Sequence, residues 1–451
     1  MPRDLFLKSG HLITMDPELG DQPATDIRVS DGRITRVGRN LATGDAEVID
    51  VSGLVVIPGL IDTHRHLWQS TIRNSLPDVD LPAYLKIILS DFAPHYRAED
   101  VGTSDLLGAI GAINAGVTTV LDWSHIINTP DHADAAIEGL KNSGVRAVFA
   151  HGAPNLPHAD WWKQSTLEHP DDCIRIKSEH FATDDQLVTL AMALRGPEFA
   201  TIKATEADVA MARELCIPMT MHVGCGALGP KYQAITRMHR AGILGPDMTF
   251  VHCTTSSDDE LKMIVGAGAS VSVAPAVESQ MGHGDPPFNR FADLGVRPSL
   301  SVDVEVSTAS DMFTQMRAAF HTSRLIAHDR ARAGQEATFL STRDILQLAT
   351  VQGARTLGLE DKIGSITVGK RADLTVLDLN RINVAPVNDV VGAVVLSADT
   401  SNVTHVVIDG TVKKRDGKLI DVDFGSLMDT AYASRDYLFK AAGREPDRYY
   451  H

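Results

Sequence analysis

Residues 58–66 read Pro-Gly-Leu-Ile-Asp-Thr-His-Arg-His. A short apolar run introduced by Pro-Gly is the pattern of a buried strand. This one ends in two histidines separated by a single residue. Side chains two apart along a strand share a face, so His64 and His66 can point into one space and reach one ion.

Seven further apolar runs follow the one at 59–64, at 117–122, 145–151, 188–194, 218–223, 248–253, 270–275 and 297–303. Helical patterns fit between them. Eight strands alternating with helices predict an α/β fold, a (β/α)8 TIM-type barrel. The fifth run closes on His222, the sixth carries His252 and the eighth ends in Asp303. Active sites of such barrels are built at the C-terminal ends of the strands, where all of these residues fall. A lone histidine in a buried strand is more often a hydrogen-bonded core residue than a ligand. Four at equivalent strand ends, joined by an aspartate, point instead to a metal centre. Imidazoles with one carboxylate suit Zn²⁺ first and Fe²⁺ as the alternative, with a position left open for water. Residues 70–100, with prolines at 77, 82 and 94, are too long and irregular for an ordinary connection and read as a lid over the barrel mouth.

Both ends of the chain are rich in short strands and turns. Residues 4–15, 33–37 and 48–56 look extended, with a hairpin-type turn at Asp31-Gly32. Residues 372–379, 405–408 and 411–415 mirror them, with Asp409-Gly410 as a second turn. Neither end could build a core alone, so 1–57 and 360–420 are expected to pair as one small composite β-sandwich beside a barrel of residues 58–359. Residues 421–451 read as a surface helix and a tail.

Hydrophobic residues make up 43% and charged residues 22% of the 451, the balance of a water-soluble enzyme. A net charge of −16 argues against nucleic acid or an anionic membrane as partner, since both require a basic face. The four cysteines (Cys173, Cys216, Cys225, Cys253) form no CxxC pair, which suits a reducing compartment. With no signal-peptide pattern and no long apolar span, a cytoplasmic location is expected.

The segments PGLIDTHRH (58–66), GVTTVLD (116–122), MHVG (221–224), VHC (251–253), SVD (301–303) and GSITVGKRADLTVLD (364–378) together resemble the amidohydrolase superfamily, especially its cytosine deaminase-like and triazine hydrolase-like branch. The resemblance spans nearly the whole chain. It implies that His64, His66, His222 and Asp303 hold one divalent metal, and that His252 contacts the hydrolytic water or the substrate. Two-metal relatives bridge their ions with a carboxylated lysine at the end of the fourth strand. Here that run passes into Arg195-Gly196-Pro197, which implies a single ion. The resemblance also implies a homo-oligomer, a dimer or tetramer, acting on a small molecule. The expected chemistry is hydrolysis of a C–N bond in a nitrogen heterocycle or cyclic amide, with Asp303 moving the proton of the water and His252 stabilising the oxyanion.

Two departures qualify that expectation. Many deaminases of this branch carry a glutamate three residues after the fifth-strand histidine; here that residue is Cys225, and a thiol is a poor proton shuttle. Beyond the seventh run, Glu278 and His283 stand where relatives carry asparagine and a small residue. Glu278 is a candidate for the missing relay. Trp68, Trp123, His125, His151, Arg195, His283 and Cys225 are candidates for substrate contact. The alternatives are a decarboxylase or iron oxygenase on the same barrel, and a non-catalytic scaffold, against which the full ligand set counts.

Overall fold

The computed structural model describes residues 4–447; residues 1–3 of the N-terminal piece and 448–451 of the expected tail lie outside them. Eight parallel strands follow one another around a sheet: Leu60–Arg65, Val117–Ser124, Arg146–His151, Val188–Leu194, Met219–Val223, Met248–His252, Ser270–Val273 and Ser299–Leu300. All eight runs expected from the sequence are strands. The last two are shorter than expected, because Pro275 starts a helix (Pro275–Gln280) and the chain leaves the eighth strand after Leu300. The barrel is nevertheless drawn together across the first and eighth strands. The His66 N–H donates to the Asp303 carbonyl at 2.9 Å and the Asp303 N–H to the His64 carbonyl at 3.0 Å.

Helices cover the outside, among them Ala98–Asn114, Pro130–Ser143, Ile202–Glu214, Asp258–Gly266 and Met312–Arg332. Capping fixes where several begin. Ser257 and Glu260 exchange side-chain and backbone hydrogen bonds in a capping box, and Asp311 caps Met312–Arg332 through Thr314. The Pro-Gly entry to the first strand has a steric reason: a Cβ on Gly59 would lie 2.0 Å from Thr118 Oγ1 on the second strand. No side chain larger than hydrogen fits there.

The two chain ends form a separate sheet of nine strands. Its path runs from Lys418–Leu419 through Thr411–Arg415, Val403–Ile408, Leu374–Leu377 and Val55–Pro58 to Leu5–Leu12, Gln22–Ser30 and Arg33–Gly38, with Glu47–Asp50 paired to Leu5–Leu12. The junction between the ends is the antiparallel pair of Val55–Pro58 with Leu374–Leu377. The edge strand Arg33–Gly38 also curls back onto the segment leading into Leu374–Leu377, where the Ala372 N–H donates to the Gly32 carbonyl and the Ile34 N–H to the Lys370 carbonyl, both at 2.8 Å. The curled sheet thereby encloses its own core of Leu5, Leu7, Ile27, Val29, Ile34, Val56, Leu374, Val376 and Val407.

The expected lid segment consists of short helical turns at Leu67–Ile72, Leu81–Tyr84, Leu85–Phe92 and Ala93–His95. The C-terminal helix, Phe424–Ala441, braces this region. Leu427 and Ala431 pack on Leu107 and Ile110, Phe439 meets Phe92 edge to face at 5.2 Å, and the Ser434 hydroxyl donates to Asp100 at 2.7 Å. Among the described residues no helix is long and apolar enough to cross a membrane.

Candidate active site

Four side chains converge at the C-terminal end of the barrel. The Nε2 atoms of His64 and His66 each lie 3.3 Å from Asp303 Oδ1, and His64 Nε2 lies 3.2 Å from His222 Nε2. One ligand atom from each of the four falls within 4.8 Å of all the others. Burial pushes the His64 imidazole down to about 3, and burial with neighbouring imidazoles holds His222 well below the usual range. Both rings are therefore neutral, the form that ligates metal. His66 Nδ1 lies 2.7 Å from the Trp123 carbonyl. A carbonyl oxygen only accepts, so Nδ1 carries the proton and Nε2 turns a lone pair to the centre. Lone pairs and a carboxylate oxygen packed this closely fit a divalent cation.

Backbone geometry here is unusual. Asp303, His252 and Cys253 have φ of +69°, +75° and +57°. Left-handed conformations at such residues cost about 1–3 kcal/mol each, and they persist where the surroundings over-determine them. Here they turn Asp303 and His252 inward at the strand ends.

His252 stands on the far side of Asp303, its Nε2 3.7 Å from Asp303 Oδ2. Its Nδ1 lies 3.0 Å from Glu278 Oε1, which also accepts the Ala274 N–H at 2.9 Å. Glu278 is fully buried behind His252 and does not line the cleft. The reading of Glu278 as a relay at the barrel mouth is corrected accordingly: it sits on the helical turn Pro275–Gln280, which directs it at His252 and away from the substrate side.

The cleft above the centre encloses about 540 Å³, part of it open to solvent. His66, His222, His252 and Asp303 form its floor. His125, His283, Cys225 and Glu198 contribute polar atoms, and Leu81, Tyr84, Leu85, Leu89, Trp162, Phe199 and Leu228 give it apolar walls. Residues 55–413 match the Amidohydrolase family. The chain belongs to that family.

A 5'-deoxyadenosine deaminase of Methanosarcina mazei is 25% identical over 453 residues, covering 96% of this amidohydrolase and 98% of that protein. An adenosine deaminase from Xanthomonas campestris, solved with bound zinc, superposes with a TM-score of 0.83 at 25% identity, covering 97% and 99% of the two chains. An atrazine chlorohydrolase from Arthrobacter aurescens shares the fold, with a TM-score of 0.84 at 20% identity over 96% and 100% of the chains. The amidohydrolase is thus a hydrolase of carbon–nitrogen bonds other than peptide bonds.

The structure sorts the remaining sequence candidates of the amidohydrolase. His125, His283 and Cys225 line the cleft. His283 is held by its backbone, with its carbonyl accepting the Gly226 N–H and the Thr254 hydroxyl, and both of its ring nitrogens lack partners. Trp123 and Trp68 are fully buried beneath the cleft. Trp123 supports His66 through its carbonyl, and Trp68 donates from Nε1 to His125 Nδ1 at 3.3 Å. His151 and Arg195 are corrected, because neither lines the cleft. His151 Nδ1 pairs with His169 Nε2 at 2.9 Å in the helix layer outside the barrel. Arg195 is spent on Ser165, the Leu167 carbonyl and Asp208. Burial holds the Cys225 thiol well above its usual range, which removes it as a nucleophile at neutral pH.

Sequence reasoning missed Glu198 and the apolar walls. Glu198 lies in the turn Gly196–Phe199 directly after the fourth strand, so the strand-end rule that found Asp303 would have found it too.

Proposed function

We propose that this amidohydrolase is a mononuclear, zinc-dependent aminohydrolase that replaces an exocyclic amino group of an uncharged, planar nitrogen heterocycle with oxygen. The observation that carries the reading is the four-donor centre of His64, His66, His222 and Asp303 at the base of a narrow apolar cleft. When bound there, the ion supplies Lewis acidity that brings a water close to deprotonation at neutral pH.

The chain's own residues would do the rest. Asp303 accepts the proton of the water and passes it to the departing amine. His252, fixed in orientation by Glu278, hydrogen-bonds the oxygen that adds to the ring carbon. Leu81, Tyr84, Leu85 and Leu89 cover the ring and keep bulk water out, while Trp162 and Phe199 offer faces on which it can lie. Among the described residues, no lysine or arginine lines the cleft. A phosphate or carboxylate tail would find no cation, which favours a free base or a short neutral substituent. The similarity to a deaminase of 5'-deoxyadenosine, an uncharged substrate, supports that class.

The absence of a lysine from Val188–Leu194 supports a single ion. The reading extends to a cytoplasmic homo-oligomer, a dimer or tetramer; the four free thiols support a reducing compartment. The test is elemental analysis of purified protein together with ammonia release from 5'-deoxyadenosine, adenine, cytosine and aminotriazines. About one zinc per chain with ammonia from one of these is the expected result. Protein holding zinc and releasing ammonia from none of them would refute the aminohydrolase reading.

A further inference from the structure

We propose that Glu198 is the acid–base residue that protonates the ring nitrogen of the substrate, taking over the task for which position 225 has only a thiol. This rests on the aminohydrolase reading above.

Glu198 reaches the cleft by a local device. Gly196 turns the chain at φ +64° and packs so closely on the fifth strand that a Cβ there would lie 3.0 Å from Met221 Sδ. Pro197 then starts a short turn that carries Glu198 to the mouth, where its side chain is 3% exposed and lines the cleft beside Cys225. One oxygen is tied down: the Gly224 N–H donates to Oε1 at 2.7 Å. The other, Oε2, is buried without a partner. A buried carboxyl oxygen left unpaired costs about 1–3 kcal/mol, which a ligand's ring nitrogen would recover. Burial pushes the group up to about 8, with the Gly224 N–H opposing and Glu260 adding to the rise. At neutral pH the group holds its proton, and the free oxygen is a donor.

The rival groups are otherwise engaged. Glu278 is committed to His252 and Ala274 outside the cleft. Burial pushes His283 down to about 4, so it enters as a neutral hydrogen-bond partner. In the proposed step, water oxygen bonds to the ring carbon and one water proton passes to Asp303. The C=N electron pair moves to the ring nitrogen, which takes the Glu198 proton. The C–N bond to the amino group then breaks, and nitrogen leaves with the pair and the proton from Asp303, as ammonia. The remaining hydroxyl proton returns to Glu198 as the C=O bond forms. Both carboxyls end as they began.

Glu198→Gln is the informative variant, because the amide oxygen can still accept the Gly224 N–H while no ionisable proton remains. With the substrate the zinc-loaded wild type turns over fastest among 5'-deoxyadenosine, adenine, cytosine and aminotriazines, kcat should fall about 100-fold or more with KM little changed. The alkaline limb of the pH–rate profile should vanish, and Glu198→Gln/Cys225→Glu should recover part of the rate. Independently of any substrate, infrared spectra should show a protonated carboxylic acid at pH 7 in wild type that Glu198→Gln lacks. Turnover within about threefold of wild type, an unchanged alkaline limb or an unchanged carboxyl band would overturn the assignment. If wild type releases no ammonia, the aminohydrolase reading fails, while the infrared band still decides whether Glu198 holds its proton.

Discussion

Arg65 donates from a terminal guanidinium nitrogen to Glu305 Oε1 at 3.0 Å, and both side chains are shielded from water. Arg65 is the middle residue of the His-Arg-His motif and points away from its two neighbours. Its Nε also donates to Asp62 at 2.6 Å, and Asp62 in turn accepts the Val302 N–H at 3.1 Å. The network ties the first strand to the segment that carries Asp303. Glu305→Ala would leave part of the Arg65 charge buried and unpaired, a change that typically costs about 3–5 kcal/mol. Denaturant unfolding of the metal-free protein should show that loss, with weaker zinc retention in the same variant. A loss below about 1 kcal/mol would mean that the clamp contributes no more than a surface pair.

The four converging donors can be tested by removal. His64→Ala and Asp303→Ala should each lower bound zinc at least about tenfold at fixed free zinc, since even loss of a ligand's supporting partner costs 10–100-fold. Circular dichroism should be unchanged and ammonia release should disappear with the metal. Full metal content in either variant would remove that residue from the ligand set.

Much of this was readable in the sequence, for identifiable reasons. Parallel barrel strands are buried on both faces, so their apolar runs stand out and their polar termini mark the active face. That is why His64, His66, His222, His252 and Asp303 could be placed together from spacing alone. The strand Gln22–Ser30 was harder to see, with Gln22, Pro23, Thr25 and Asp26 among its residues, and only the turn after it gave a signal. Side-chain direction after a strand end was not readable at all. His151 and Arg195 occupy strand ends as His222 does, yet one turns to the helix layer and the other into an ion pair with Asp208. A loop after the seventh strand would leave Glu278 on the mouth; Pro275 instead opens a helical turn, the position proline favours, and that turn carries Glu278 behind His252.

Glu278 now has a different expected signature. It fixes the ring of His252 through Nδ1, so Glu278→Ala, which removes the acceptor that Gln would keep, should leave zinc content intact and lower kcat by about 100-fold, with KM little changed. Parallel metal analysis and steady-state kinetics separate this from a ligand defect. Unchanged turnover would reduce the Glu278–His252 contact to packing.

Asp105 and Asp122 make the last prediction, one of stability against pH. Both are fully buried; neither oxygen of Asp105 has a partner, and Asp122 accepts only the Leu67 N–H, at 3.1 Å. Burial pushes Asp122 up to about 7, and burial together with the Asp122 charge raises Asp105 well above the usual range. Between the unfolded value of about 4 and the raised folded values, the native state binds more protons than the unfolded chain. The slope of stability with pH is then negative, so the pair's contribution is intact at acid pH and lost as pH climbs toward neutrality and beyond. Asp105→Asn keeps the shape and removes one ionisation. Its unfolding free energy should match wild type near pH 4.5 and exceed it by about 1–3 kcal/mol at pH 8. A difference between the two proteins that stays constant from pH 4.5 to 8 would show that these carboxyls do not retain their protons in the fold.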